Sequence, residues 1–166
     1  MLFRSSGSQM AKLGARRKST PLIAMLDIDK FKSVNDTYGH DVGDSVLRMV
    51  GAKMRKSSGG GKPFRYGGEE FTLVFQGKSS DQVRGYLDEL RETIAGSKFM
   101  IRNLNRRRND SKRGKGRKPR QKMERITVSI GVADNNGNYD NPWDVMKAAD
   151  KALYKAKKGG RNCVKS

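Results

Sequence analysis

The segment Arg65-Tyr66-Gly67-Gly68-Glu69-Glu70-Phe71 restricts the fold of this chain more than any other. Pro63, Phe64 and Tyr66 lead into the glycine pair, and the apolar run Phe71–Phe75 leaves it. Two strand-like stretches joined by Gly-Gly spell a β-hairpin, because a tight primed turn needs positive φ at its central residues. Glu69 and Glu70 follow that turn directly, with no bulky side chain at the tip. Bare backbone of this kind admits close approach by a polyphosphate and its metal ion. A plain hairpin with solvated acids fits the same residues, so the reading depends on what else converges there.

The run Leu22-Ile23-Ala24-Met25-Leu26-Asp27-Ile28-Asp29 reads as a buried strand that closes on alternating acids. Period-two alternation puts Asp27 and Asp29 on one face. Phe31 and Val34 predict a short helical turn, which Asn35-Asp36 and Gly39-His40 then break into a loop. Asp44 is placed to start the next helix, whose positions Val46, Leu47, Val50 and Met54 share a stripe. Ser79-Ser80-Asp81 opens another helix, with Val83, Tyr86, Leu87, Leu90 and Ile94 facing the core and Gly96 just past its end. Phe99–Ile101 is a short strand candidate, and Ile126–Ala133 a β-branched central strand. The last helix is expected from about Trp143 to Lys157, burying Val145, Met146, Ala149, Leu153 and Ala156, with Trp143 packed at its entry. The order is βαββαβ with a further helix, which predicts an α+β domain of the ferredoxin-like or polymerase-palm class. In it a mainly antiparallel central sheet carries helices packed around it.

At 166 residues the chain is one domain on length grounds. Residues 1–20 read as a partly frayed lead-in, and residues 21–166 as the domain proper. No apolar run reaches a membrane span and the start lacks a secretory core segment, so a cytoplasmic location is expected. The single Cys163 excludes an internal disulfide and reads as a bystander thiol. The net charge of +19 is uneven. Residues 102–125 carry twelve basic residues against Asp110 and Glu124, a net of +10, so about half the excess belongs to one insert. That insert reads as a solvated, disordered hairpin loop, or else as the contact for an anionic partner such as nucleic acid or acidic lipid.

If the first strand and the hairpin are sheet neighbours, Asp27 converges with Glu69 and Glu70. Clustered carboxylates repel unless a cation neutralises them. Hard oxygen ligands favour Mg²⁺ or Mn²⁺, and these favour nucleotide phosphates as substrate. Asp29 fits better as a hydrogen-bonding residue than as a ligand. Lys157 and Arg161, four apart at a helix end beside Gly159-Gly160, could hold triphosphate oxygens, although dipole complementarity explains them as well. Asn35 and Asp44 together could read a guanine edge, or be a turn asparagine and an N-cap aspartate. His40, the sole histidine, has no zinc-ligating companions.

Several of these segments, taken in order, resemble the GGDEF domain of diguanylate cyclases, here in a Gly-Gly-Glu-Glu-Phe form. They are Asp27-Ile28-Asp29-Lys30-Phe31-Lys32 with Asn35-Asp36, Gly39-His40 and Gly43-Asp44; Arg65 with Gly67–Phe71; Val128–Ala133; and Ala149-Asp150 through Lys157, Gly160, Arg161 and Asn162. The likeness runs from about Pro21 to Val164, outside the insert. It implies condensation of two GTP into cyclic di-GMP with release of pyrophosphate, by a homodimer of facing domains. It further implies Mg²⁺ held by Asp27, the Ile28 carbonyl and Glu69, with Glu70 beside it. Glu69 would be the candidate base and Lys32 would meet transition-state charge. Phosphates would lie at Lys157 and Arg161, beside the Gly67-Gly68 tip. Guanine would lie at Asn35 and Asp44, with Phe31 and His40 near the nucleotide. Three departures stand out. The stretch Ser58–Gly61 lacks the Arg-x-x-Asp of the family's inhibitory product site, so no feedback through that site is expected. The family's opening Asp-x-Leu-Thr-Gly-Leu-x-Asn-Arg motif is missing, which suggests either a fragment of a larger protein with an upstream sensory module or a diverged member. The basic insert is unusual. Two other classes compete: a silent domain that binds GTP or a cyclic dinucleotide as effector, and a nucleic-acid binder acting through the insert.

Overall fold

The computed structural model describes residues 21–56, 59–97, 99–101, 122–135, 139 and 141–166. The expected lead-in, and the insert as far as residue 121, lie outside these described residues.

The first strand, β1 (Leu22–Ile28), is buried along its whole length. It sits mid-sheet between β3 (Glu70–Phe75) and β6 (Val128–Ala133), antiparallel to both. The strand β2 (Lys62–Gly67) pairs with β3 to complete the hairpin, and β7 (Val164–Lys165) runs parallel to β6 at the far edge. The resulting order β2-β3-β1-β6-β7 contains the ferredoxin-like arrangement expected from the element order. Alternation along β1 divides the core into two layers. Leu22, Ala24, Leu26 and Ile28 pack with α2 (His40–Lys56) and α3 (Ser80–Ala95). Ile23 and Met25 pack on the other face with Val145, Met146, Ala149 and Leu153 of α4 (Pro142–Lys158). Each helix thus buries one apolar stripe against a sheet that is apolar on both sides.

Local chemistry explains most boundaries. Asn141 caps α4 by accepting from the Trp143 and Asp144 amides at 3.0 and 3.2 Å, with Pro142 in the first turn where its missing N–H is harmless. Ser79 and Gln82 form a capping box at the start of α3.

Five local expectations are corrected. Asn35 and Asp36 lie inside the helix α1 (Phe31–Tyr38), and the corner is made by Gly39 alone at φ 87°. Helix α2 then begins at His40, so Asp44 is an exposed interior residue, not a cap; buried Val42 extends the apolar stripe one turn earlier. The central strand starts at Val128, leaving Ile126 and Thr127 outside it. Phe99–Ile101 is a strand, β4, but it pairs antiparallel with β5 (Lys122–Glu124) in a separate ribbon, so residues 122–124, counted in the insert, form one arm of its hairpin. Tyr86 and Trp143, expected to pack, are 44% and 46% exposed. Tyr86 instead receives Lys78 over its ring, Nζ lying 5.1 Å from the centroid.

Candidate active site at the acid end of the first strand

The site forms where β1 ends and the β2–β3 hairpin turns. Register places Asp27 directly opposite Glu70, and the Ile28 amide donates to the Glu69 carbonyl at 3.4 Å. Opposed residues in an antiparallel pair share a face, so Asp27 and Glu70 sit side by side, with Glu69 next to them in the turn. The hairpin is not the primed turn expected. Neither Gly67 nor Gly68 has positive φ; the register shifts between Arg65 and Gly67, and this bulge supplies the twist a primed turn would have given. The Arg65 side chain clamps the loop, Nε and Nη2 donating to the Gly68 carbonyl at 3.2 and 2.6 Å. Around Gly68 there is open space, so the tip is as bare as the sequence implied.

Asp27 is only 4% exposed. Burial pushes its carboxyl up from the ordinary aspartate range, and Lys157, bonded to it at 2.8 Å, pulls it partly back; Asp29 pushes up and Arg161 pulls down more weakly. Glu69 is also raised, first by burial and then by the negative charge of Asp27. Glu69 therefore feels the charge of Asp27, and the two acids meet at the strand end, the convergence that the sequence made conditional on sheet neighbourhood.

Lys157 reaches Asp27 because α4 lies close on β6. A Cβ at Gly131 would come within 2.6 Å of Leu153 Cα, with Leu153 N and Ala149 O nearer still, so only glycine allows this approach. Past the end of α4 the chain turns through Arg161 and Asn162, both with positive φ (64° and 46°). Asp29 holds that turn: its carboxylate accepts from the Asn162 amide at 3.1 Å, Thr127 Oγ1 at 2.8 Å and Ser129 Oγ at 2.6 Å. This carboxylate is committed to protein donors, as expected of a residue that is not a ligand.

The expected guanine pair lies on the other side of β1's end, where α1 meets α2. Phe31 is buried in the core, and Asn35 closes over Gly43, whose missing Cβ would stand 2.9 Å from Asn35 Cγ and 3.2 Å from Phe31 Cζ. Asp44 follows and borders a hollow of about 250 Å³ with Leu47, Arg48, Arg65 and Phe71. Lys32 and His40 are exposed on the same helical pair. The structure thus groups Asp27, Ile28, Glu69, Glu70, Lys157 and Arg161 at one strand end, and Phe31, Asn35 and Asp44 beside it.

Two contributors escaped sequence reasoning, the turn clamp Arg65 and the Thr127–Ser129 pair that anchors Asp29. The second had a signal, since two hydroxyls at period two in an otherwise apolar strand mark a polar stripe on one face. Among the described residues no group of three His, Cys, Asp or Glu side chains is arranged to hold a metal ion. No helix among them is long and apolar enough to cross a membrane.

Sheet order, helix layers and an acid-lined strand end define a palm-like α+β domain with its site beside a glycine-tipped hairpin. Over residues 1–163 the chain matches the family described as "Diguanylate cyclase, GGDEF domain", a span that includes the first twenty residues, and it belongs to that family. It is 36% identical over 146 residues to response regulator PleD of Caulobacter vibrioides, covering 87% of this chain and 29% of that protein. It is 35% identical over 150 residues to diguanylate cyclase A of Treponema denticola, covering 89% and 35%. The chain therefore spans about a third of the length of these curated relatives. The active GGEEF domain of a diguanylate cyclase from Vibrio cholerae superposes with a TM-score of 0.76 at 27% identity, covering 99% of both chains. The GGDEF domain of DgcB from Caulobacter crescentus, solved in complex with c-di-GMP, gives 0.72 at 32% identity, covering 99% of this chain and 84% of that one.

Proposed function

We propose that this chain is a competent diguanylate cyclase domain, which joins two GTP molecules into cyclic di-GMP and releases pyrophosphate. Two copies would face each other, each holding one GTP. The observation that carries the reading is the meeting of Asp27 and Glu69 beside the open Gly68 tip, where burial raises both carboxyls and the charge of Asp27 adds to the rise at Glu69. Retention of Glu69 and Glu70 at the tip together with Lys32, Lys157 and Arg161 speaks against a silent effector-binding role.

The donor set fits Mg²⁺ (or Mn²⁺). Two carboxylates from Asp27 and Glu69 and the Ile28 carbonyl are hard oxygens, and Mg²⁺ is commonly held by one or two carboxylates with water and substrate phosphate oxygens completing its shell. The ion, when bound, would supply charge neutralisation to the phosphates. The chain's own side chains do the rest. Lys157, poised on Asp27 at 2.8 Å, and Arg161 would grip phosphate oxygens. Glu69, its basicity raised by burial, would take the proton of the attacking 3′-hydroxyl. Glu70 lies alongside, and Lys32, in the first turn of α1, would meet charge on the transferring group. Asn35 and Asp44 would read the guanine edge, with Phe31 and His40 bordering the nucleotide.

The test is chromatography of products after incubation with GTP and Mg²⁺, on the chain alone and on a forced dimer. Cyclic di-GMP is expected from the forced dimer, and Glu69→Gln should cut turnover by about 10²–10⁴-fold. Unchanged turnover in that variant, or no product from the forced dimer, overturns the assignment.

A further inference from the structure

We propose that Asp29 is a positioning residue for phosphate recognition: its carboxylate holds the Arg161–Asn162 turn in the backbone shape that presents Arg161 to the acid end of β1. The inference rests on the reading above, in which Arg161 grips phosphate.

Arg161 and Asn162 are consecutive L-residues in the left-handed region, and a third, Lys30, adjoins Asp29 itself. Side chains other than glycine resist that region, so such a turn persists only where its surroundings hold it. The holders are few. The Arg161 amide donates to the Ala156 carbonyl at 3.0 Å, which any helix end supplies. Asn162 Oδ1 accepts from Arg91 Nη1 at 3.3 Å, a longer bond to a side chain. Just past the turn, the Cys163 carbonyl accepts from the Ile130 amide at 3.0 Å, which ties the chain to β6. Within the turn, the Asn162 amide donates to Asp29 Oδ2 at 3.1 Å, and this is the tie made by a buried charge. Asp29 is itself fixed, by Thr127 and Ser129 through its carboxylate and by its own amide to the Thr127 carbonyl at 2.9 Å. It cannot swing away to follow a displaced turn.

The alternating acids at the end of β1 therefore divide two tasks. Asp27 fastens the lysine near the end of α4 directly, and Asp29 fastens the arginine beyond it through the backbone of the next residue. Lys157 and Arg161 would then present a fixed spacing to a polyphosphate, as a bidentate grip requires. The turn lines one hollow with Ser33, Val34 and Thr37 of α1, whereas Asn35 lies over Gly43 and Asp44 borders a different hollow with Arg65 and Phe71.

That separation gives the test. Binding of GTP and of GMP, which lacks the β- and γ-phosphates, is measured by calorimetry on the full chain for wild type, Asp29→Asn, Thr127→Val and Arg161→Ala. Asp29→Asn keeps the volume but replaces one accepting oxygen with an amide that cannot accept. We expect GTP affinity to fall about tenfold or more and GMP affinity less than about twofold, with KM rising more than kcat falls. Thr127→Val, which frees one side of Asp29, should shift GTP affinity the same way by a smaller factor, and it decides the question if Asp29→Asn does not fold. Equal weakening of GTP and GMP would mean general loss of folded protein and would overturn the proposal, as would unchanged GTP affinity. If Arg161→Ala weakens GTP and neither other variant does, only the positioning role fails; if Arg161→Ala leaves GTP binding intact, the phosphate-grip reading fails and takes the proposal with it.

Discussion

Gly131→Ala tests whether the packing of α4 on the sheet is what builds the site. The added methyl would meet Leu153 Cα at 2.6 Å and the Leu153 and Ala149 backbone closer still, whereas ordinary contact begins near 3.4 Å. The obstructing atoms are helix backbone, so no rotamer change relieves them. The helix must retreat from β6 by roughly 1 Å or more, a shift of the size that costs catalytic sites about a hundredfold. Lys157 lies one turn beyond Leu153 and would be carried off its 2.8 Å bond to Asp27. Overpacking of a close-packed interface costs about 1–3 kcal/mol, and a domain of this size loses roughly 2–4 °C of Tm per kcal/mol. We therefore expect a Tm lower by about 2–12 °C together with about a hundredfold loss of cyclic di-GMP formation. Circular-dichroism melting and the chromatographic product assay read these separately. Gly85→Ala is the matched control: it lies inside α3 with open space where its Cβ would go, so it should gain about 0.5–1 kcal/mol and keep activity. If Gly131→Ala melts with the parent and turns over GTP at the parent rate, the close approach of α4 is not what positions Lys157.

Three further outcomes follow from the site. Glu69→Gln should raise the Tm of the unliganded chain by about 1–3 °C near neutral pH while cutting turnover about 10²–10⁴-fold. The raised carboxyl of Glu69 means that its ionised form destabilises the fold; that cost is absent in acid and grows as pH rises through the raised value, so the variant's advantage must shrink as pH falls into the ordinary glutamate range. An advantage that grew in acid would refute the assigned direction. Gly43→Ala should displace the Asn35 side chain and raise the KM for GTP by about tenfold with little change in melting, since the atoms it meets are side-chain atoms and alanine favours the helix; an unchanged KM would separate Asn35 from base recognition. Cyclic di-GMP added to the assay should give no strong non-competitive inhibition, because the stretch before the hairpin reads Gly59-Gly60-Gly61 where an arginine and an aspartate would be needed; strong inhibition of that kind would reveal another product site.

The sequence by itself determined what is written in local periodicity and in short spacings. The buried strand ending on Asp27, the stripes of α2, α3 and α4, the capped starts of α3 and α4 and the bare glycine tip all follow from residues within a few positions of each other. Register and tethering were decided by tertiary structure. Asp29 meets Ser129 and Asn162 across 100 and 133 residues of chain, and Lys157 meets Asp27 only because Gly131 admits α4 to the sheet. The hairpin turn followed the same rule: a bulge and the Arg65 clamp replaced the expected positive-φ turn, since the pairing of β2 with β3 and not the glycine pair set the local twist. Local pattern fixes which face a side chain takes, but which partner waits on that face depends on how distant strands and helices are brought together, and the chemistry of this site lies in those pairings.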